Sequence, residues 1–240
     1  MMRLVSEISE LVGKAQMQAS STMPHLRKNN RIRTIHASLT IENNSLSVEQ
    51  VTAILDGKRV LGLPQEVQEV RNAFKAYEKM EEWNPGELAH LLDALGVLMS
   101  GLVDRAGRLR TGGVGVFEGS RVIHMAPPAH LIHGKMEALL HWLAEADEYP
   151  LIASCVFHYE FEFIPPFEDG NGRMDRLRQT LILSRWKPLF AYLPVENVIR
   201  DRQEEYYSAL GKADQSGEST AFIEFLLETL LTALREATEG

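Results

Sequence analysis

Apolar residues recur three and four positions apart along most of this 240-residue chain, the spacing of helices that bury one stripe. Residues 63–82 open with Leu63-Pro64 and put Val67, Val70, Phe74 and Tyr77 on one face. Asn84-Pro85 has the form of an N-cap followed by a first-turn proline, which predicts a helix through Leu88, Leu91, Leu92, Leu95 and Leu98. Further helices are expected over 128–146, 150–163, 171–186, 195–212 and 219–237, with 214–219 a loop that ends in a cap.

The pattern changes between Gly107 and Met125. Val114, Val116 and Phe117 lead into Glu118-Gly119-Ser120, and Val122, Ile123 and Met125 follow, so a β-hairpin is expected at 113–125. An isolated hairpin is marginal in water and must lean on the helices. Its free edge could receive an extended peptide, through Gly113, Val114, Gly115 and Val116, although a plain connecting hairpin explains these residues equally well on their own. The fold class expected is mainly α, a helical bundle with one hairpin.

With 45% hydrophobic residues the chain can bury the core of one domain, read as N-terminal helices over 1–60, a core over 61–212 and a C-terminal helix over 213–240. A net charge of -8 and a pI near 5.5 exclude a broad positive surface for nucleic acid or anionic membrane. The basic run from Arg27 to Arg33 is short and reads as a solvated helix face. Cys155, the one cysteine, lies in an apolar run and reads as a buried thiol. Glu7 and Glu10 interrupt any signal-peptide pattern, and no apolar run approaches the ~20 residues of a membrane span, so a cytoplasmic protein is expected.

The chemistry concentrates in Ile164-Pro165-Pro166-Phe167-Glu168-Asp169-Gly170-Asn171-Gly172-Arg173-Met174-Asp175-Arg176. Gly170-Asn171-Gly172 ends one helical pattern and opens the next, where free backbone amides and the helix dipole make an anion cradle. The glycines let a phosphate approach the backbone, and Arg173 and Arg176, three apart, project from nearly one face to grip neighbouring phosphate oxygens. Glu168 and Asp169 would repel that phosphate unless a divalent cation bridged them, which suggests Mg²⁺. A Gly-x-Gly-Arg alone is usually a helix start with a surface arginine; acids, glycines, asparagine and both arginines together favour a nucleotide site.

This run resembles the signature of Fic proteins, HPFx[D/E]GNGRxxR, whose best-known members transfer AMP from ATP to a hydroxyl on another protein. The resemblance extends over about residues 35–212, taking in His158-Tyr159-Glu160-Phe161, the hairpin before Pro127-Pro128, and Tyr206-Tyr207. It implies a Fic-type bundle, ATP and Mg²⁺ as ligands, Gly170, Asn171, Gly172, Arg173 and Arg176 around the phosphates, and Tyr206 and Tyr207 near base and ribose. It also implies a hairpin flap that docks a target protein; a homo-oligomer is a further expectation. Upstream, Ser38-Leu39-Thr40-Ile41-Glu42-Asn43 is similar to the Fic inhibitory motif [S/T]xxxE[G/N], which implies that Ser38 and Glu42 act as a plug and that Glu42 pairs with Arg176.

One position departs from the signature. Where the family has the histidine that takes the proton from the target hydroxyl, this chain has Pro165, so the catalytic set reduces to Asn171 and Arg173 beside a position without a base. Losing a positioned general base costs about 10²–10⁴ in rate, whereas phosphate clamping survives it. His158, seven residues earlier, is expected to be a core histidine too distant to substitute; His124 and Glu168 are conceivable substitutes. The first account of Pro165 is a nucleotide-binding pseudoenzyme. Altered chemistry that needs no histidine comes second, and a one-base codon change third. An interaction module without catalysis is the alternative function.

Overall fold

A computed structural model describes residues 1–18, 23–118 and 121–239. Eleven α-helices lie among the described residues: α1 (Met2–Gln18), α2 (Met23–Ile41), α3 (Val48–Leu55), α4 (Pro64–Lys79), α5 (Leu88–Leu98), α6 (Ala129–Glu145), α7 (Pro150–Phe163), α8 (Asn171–Trp186), α9 (Val195–Asp201), α10 (Gln203–Ser216) and α11 (Thr220–Glu239). Between α5 and α6 run β1 (Gly115–Glu118) and β2 (Arg121–Met125), an antiparallel pair whose register shifts between Val116 and Phe117. The expected turn at 119–120 lies outside the described residues. The protein is mainly α, and no described helix is long and apolar enough to cross a membrane.

The helix α8 organises the bundle. Arg173 to Leu183 are buried without interruption, so this helix has no solvent face and is packed on every side, above all by α7. On one side, Phe157 and Phe161 of α7 and Met174, Leu177 and Leu181 of α8 join α4, α5 and α6 in a cluster with Tyr77, Met80, Leu91 and Met136. On the other, Leu151, Cys155 and Leu183 join α1, α9, α10 and α11 through Ile8, Ile199, Phe222 and Leu230. Each large apolar side chain so buried contributes about 1.5–3 kcal/mol. Cys155 is fully buried, and burial pushes its thiol up to about 12, as befits an inert core residue.

Local chemistry moves three helix boundaries away from the expected ones. Asn84 is not an N-cap: its Oδ1 accepts from the Gly86 amide at 3.0 Å and its Nδ2 donates to Glu87, closing a turn, so α5 begins only at Leu88. The single helix expected over 195–212 breaks at Arg202, where the backbone leaves helical angles. That guanidinium pairs with Glu205 and Glu228 and stacks 4.8 Å from the Phe225 ring, tertiary contacts with no local sequence signal. The loop expected over 214–219 is shorter, because α10 continues to Ser216 before Gly217 stops it in the left-handed region at φ 68°.

Arg110 fixes the segment that joins α7 to α8. Its amide donates to the Pro166 carbonyl at 2.9 Å and its Nε to the Pro165 carbonyl at 2.8 Å. The remaining guanidinium nitrogens donate to the carbonyls of Gly112 and Pro127, at the two ends of the β segment. With only 2% of its surface exposed, one side chain ties both segments together. Arg110→Met removes hydrogen bonds to three carbonyls, of which that of Pro165 is buried, and unfolding in urea should show a loss of about 2–4 kcal/mol; a loss below about 0.5 kcal/mol would show that the loop holds itself.

Candidate functional site

Gly170 closes the loop in a left-handed conformation, φ 83°, immediately before the first residue of α8. A side chain there would be strained and would meet Met99, whose Sδ lies 2.6 Å from the Cβ position. Asn171 then holds the loop in its own ring: Oδ1 accepts from the Phe167 amide and Nδ2 donates to the Phe167 carbonyl, both at 2.9 Å. The first helical bond of α8 runs from the Met174 amide to the Gly170 carbonyl, so the amides of residues 171–173 precede the ladder at the positive end of the dipole.

Two arginines rise from this helix start in different states. Arg173 reaches Glu69 of α4 and both oxygens of Asp169, each at 3.3 Å, and its Nε has no partner. These are long contacts. Arg176 is held much more tightly: Nε donates to Ser38 Oγ at 3.1 Å, and Nη2 to the Ser38 carbonyl at 2.9 Å and to Glu42 Oε1 at 2.7 Å. Burial by itself would pull this guanidinium below its ordinary value; the charge and hydrogen bond of Glu42 more than offset that and hold it above.

Glu42 reaches Arg176 from the end of α2. Asn43 takes φ 67°, a conformation asparagine tolerates, and the amides of Glu42 and Asn44 both donate to the Leu39 carbonyl at 3.0 Å. A carboxylate there sits at the negative end of the helix dipole, a position that disfavours it unless a cation answers it. Gly172 makes room: a Cβ at that position would lie 2.6 Å from Glu42 Oε1 and 3.0 Å from Arg176 Nη1. Asn44 donates to Glu69 at 2.8 Å, so α2, α4 and the loop share one polar network.

The acids Glu168 and Asp169 are exposed. Asp169 accepts from the Gly170 amide at 2.6 Å, and both acids border a cavity lined also by Arg105, Arg108, Leu109 and Phe167. Exposed carboxylate oxygens of this kind are the type of ligand a divalent cation takes. Pro165 is buried in the loop and offers no side-chain donor or acceptor. Gly113 and Val114 precede the β strands, and the side chains of residues 115–125, including His124, lie outside the description.

Sequence reasoning grouped the loop residues, both arginines and Glu42, and the fold brings these together. It missed Glu69, Asn44 and Arg110, whose roles depend on distant partners and carry no motif. Tyr206 and Tyr207 meet edge to face, 5.3 Å between ring centroids, but differ in exposure: Tyr207 is 54% exposed, whereas the Tyr206 hydroxyl is turned inward, 2.9 Å from His158 Nε2. His158 is fully buried, and burial drives it down to about 3, so it is a neutral core histidine.

Residues 85–183 match the model of the Fic/DOC family. Curated relatives include a protein adenylyltransferase Fic of Nematostella vectensis, 28% identical over 80% of this chain and 45% of its own length. Another is the protein adenylyltransferase fic-1 of Caenorhabditis elegans, 25% identical over 88% of this chain and 42% of its own. This chain thus spans less than half the length of those relatives. Among solved structures, residues 134–508 of Fic-1 from C. elegans share the fold at a TM-score of 0.81 and 20% identity, covering 98% of this chain and 71% of that one. A Fic family protein from Desulfovibrio desulfuricans G20 superposes at a TM-score of 0.95 with 58% identity, over 99% of this chain and 74% of that one. With that identity over nearly its whole length, and with the Gly170-Asn171-Gly172-Arg173 helix start inside the matched region, the chain belongs to the Fic/DOC family.

Proposed function

We propose that the protein binds ATP with Mg²⁺ at the head of α8, that Glu42 restrains this binding, and that AMP transfer to a protein hydroxyl is impaired by Pro165. The observation that carries the reading is the 2.7 Å contact between Glu42 and Arg176 directly over Gly172. A carboxylate on that guanidinium stands where a phosphate oxygen would have to bind, and the two compete for one cation. The amides of residues 171–173 would take the remaining phosphate oxygens, and Arg173, loosely held, would close on them. Glu168 and Asp169 would hold the magnesium ion, which supplies charge neutralisation for the phosphates.

The outer strand edge near Gly113, Val114, Gly115 and Val116 is the proposed docking place for an extended target segment, by strand addition. Adenylyltransferase is the name carried by the curated relatives, and a target protein is proposed here by analogy with them. At position 165 nothing can accept the proton of a target hydroxyl, so chemistry is slowed about 10²–10⁴-fold while nucleotide binding persists. That same substitution favours a second reading, a regulatory module that senses or sequesters a partner without catalysis.

ATP labelled at the α-phosphate distinguishes these readings across wild type, Glu42→Gly, Pro165→His and the double variant. The double variant should label itself or a lysate protein, and each other form far less. Strong labelling by Glu42→Gly alone would rule out impairment at position 165. No labelling by a folded, ATP-binding double variant would rule out the transfer geometry.

Calorimetric titration with ATP and Mg²⁺ measures binding directly. Freeing Arg176 of its carboxylate should tighten ATP about 10-fold or more in Glu42→Gly, in line with a charged hydrogen bond of about 1.5–3 kcal/mol. Adding Arg176→Ala to that variant should weaken ATP by about 10–100-fold. No heat from Glu42→Gly would leave the interaction module as the better account.

A further inference from the structure

A second group of chemically competent side chains lies deeper between α7 and α8 and takes no part in the phosphate cradle. His158 and Glu162 are four residues apart on α7, hence on one face of that helix, and Asp175 projects toward them from α8. One ligand atom from each lies within 4.8 Å of the others. His158 and Asp175 are both fully buried, and Glu162 keeps part of its surface exposed.

The hydrogen bonding leaves this group incomplete. His158 Nδ1 lies 2.9 Å from Gln179 Oε1, an acceptor, so Nδ1 carries the proton and Nε2 presents its lone pair to the two carboxyls. The Tyr206 hydroxyl donates to Glu162 Oε1 at 3.1 Å and also stands 2.9 Å from Nε2. With one hydrogen it serves only one of them. Asp175 Oδ2 lies 3.2 Å from Nε2, and this wholly buried carboxyl meets the Glu162 carboxyl, a contact that becomes a hydrogen bond only while one of the two acids holds a proton; with both ionised, neither Asp175 oxygen has a donor. Two acids buried together are disfavoured unless one stays neutral or both meet a cation. Here Asp175 faces a lone-pair nitrogen and a second acid.

We propose that His158 Nε2, Asp175 and Glu162 form a divalent metal site, with Zn²⁺ as the preferred ion and the Tyr206 hydroxyl closing the fourth position. One imidazole and two carboxylates in a tetrahedral set match zinc's ligand preferences. Zinc ligands at about 2.0–2.2 Å from the ion sit ~3.4 Å from one another, so small inward side-chain shifts suffice from the present spacing. Gln179 would act as the outer partner that fixes the ring orientation, the arrangement seen around metal-bound histidines. The ion would take the place of the proton that the two carboxyls otherwise need between them.

Proton competition gives the site a pH signature. Asp175 is held well above the usual carboxylate range by burial and then by the Glu162 charge, and Glu162 is likewise raised by burial. Arg176 and Arg178 pull the Asp175 carboxyl the other way, and Glu42 adds to the rise at Glu162. His158, already neutral, carries no proton on Nε2 that an ion would have to displace. Metal uptake must therefore release protons from the carboxyls and weaken as pH falls.

The test is equilibrium dialysis of the full chain against ZnCl₂ at pH 7.5 and 5.5, with bound metal measured by mass spectrometry. Glu168→Gln/Asp169→Asn is included so that metal at the exposed loop acids is counted separately. Wild type and that double variant should each retain about one equivalent at pH 7.5 and much less at pH 5.5. Asp175→Asn, and independently Glu162→Gln at the partly exposed edge, should weaken retention by about 10–100-fold or more. Co²⁺ in place of zinc should give a visible spectrum that His158→Gln alters. Substoichiometric zinc in folded wild type overturns the site. So does full retention by both carboxyl variants, or loss of the ion only in the loop-acid variant. Failure here leaves ATP binding untouched, and failure of ATP binding leaves this site standing.

Discussion

A buried guanidinium sets the terms for the rest of this molecule. Arg176 sits in the middle of a helix with no solvent face, and a charge in that position survives only if neighbouring groups answer it. The answer comes from Ser38 and Glu42, at the end of a helix more than 130 residues earlier, so an electrostatic need in α8 fixes where α2 must pack. Gly172 has to be a glycine for that approach to occur. The requirement runs both ways, because Glu42 lies at the unfavourable end of its own helix dipole and needs a cation as much as Arg176 needs an anion.

The same helix explains why polar chemistry is layered through the core. Arg173, Asp175, Arg176, Arg178 and Gln179 all point into packed surroundings, each with a different solution to its charge. Arg178 donates to the Pro85 carbonyl and lies over the Phe157 ring, and burial lowers it to about 9. Glu196 accepts from Tyr77 and Thr180, and burial raises it. A core built this way is specified by partner identity as well as by volume, which makes its helices hard to interchange.

Much of the fold was legible because most helices present regular stripes: α6, α7, α8 and α11 lie within one or two residues of the positions expected from periodicity, and α4 starts one residue late and ends three residues early. The errors arose where a side chain overrode local preference, at Asn84, which bonds its own turn, and at Arg202, which is drawn to α11. The candidate site was legible where it is contiguous, from Pro165 to Arg176, and where a resemblance supplied the distant Glu42. Arg110 and Glu69 carry no such marker, since what they do depends on carbonyls and arginines that only the folded chain brings near. The trio of His158, Glu162 and Asp175 was hidden for the same reason: a pair four apart on one helix is common, and its third member comes from another helix.

Arg110 recognises the loop by its carbonyls, not by the side chains those residues carry. Every amino acid has that carbonyl, so the course of the chain through position 165 does not depend on which residue stands there. Scaffold and reactivity are thereby uncoupled at a single codon. On the proposed reading, a proton acceptor at position 165 could be gained or lost while Arg110 keeps the same hold on the loop.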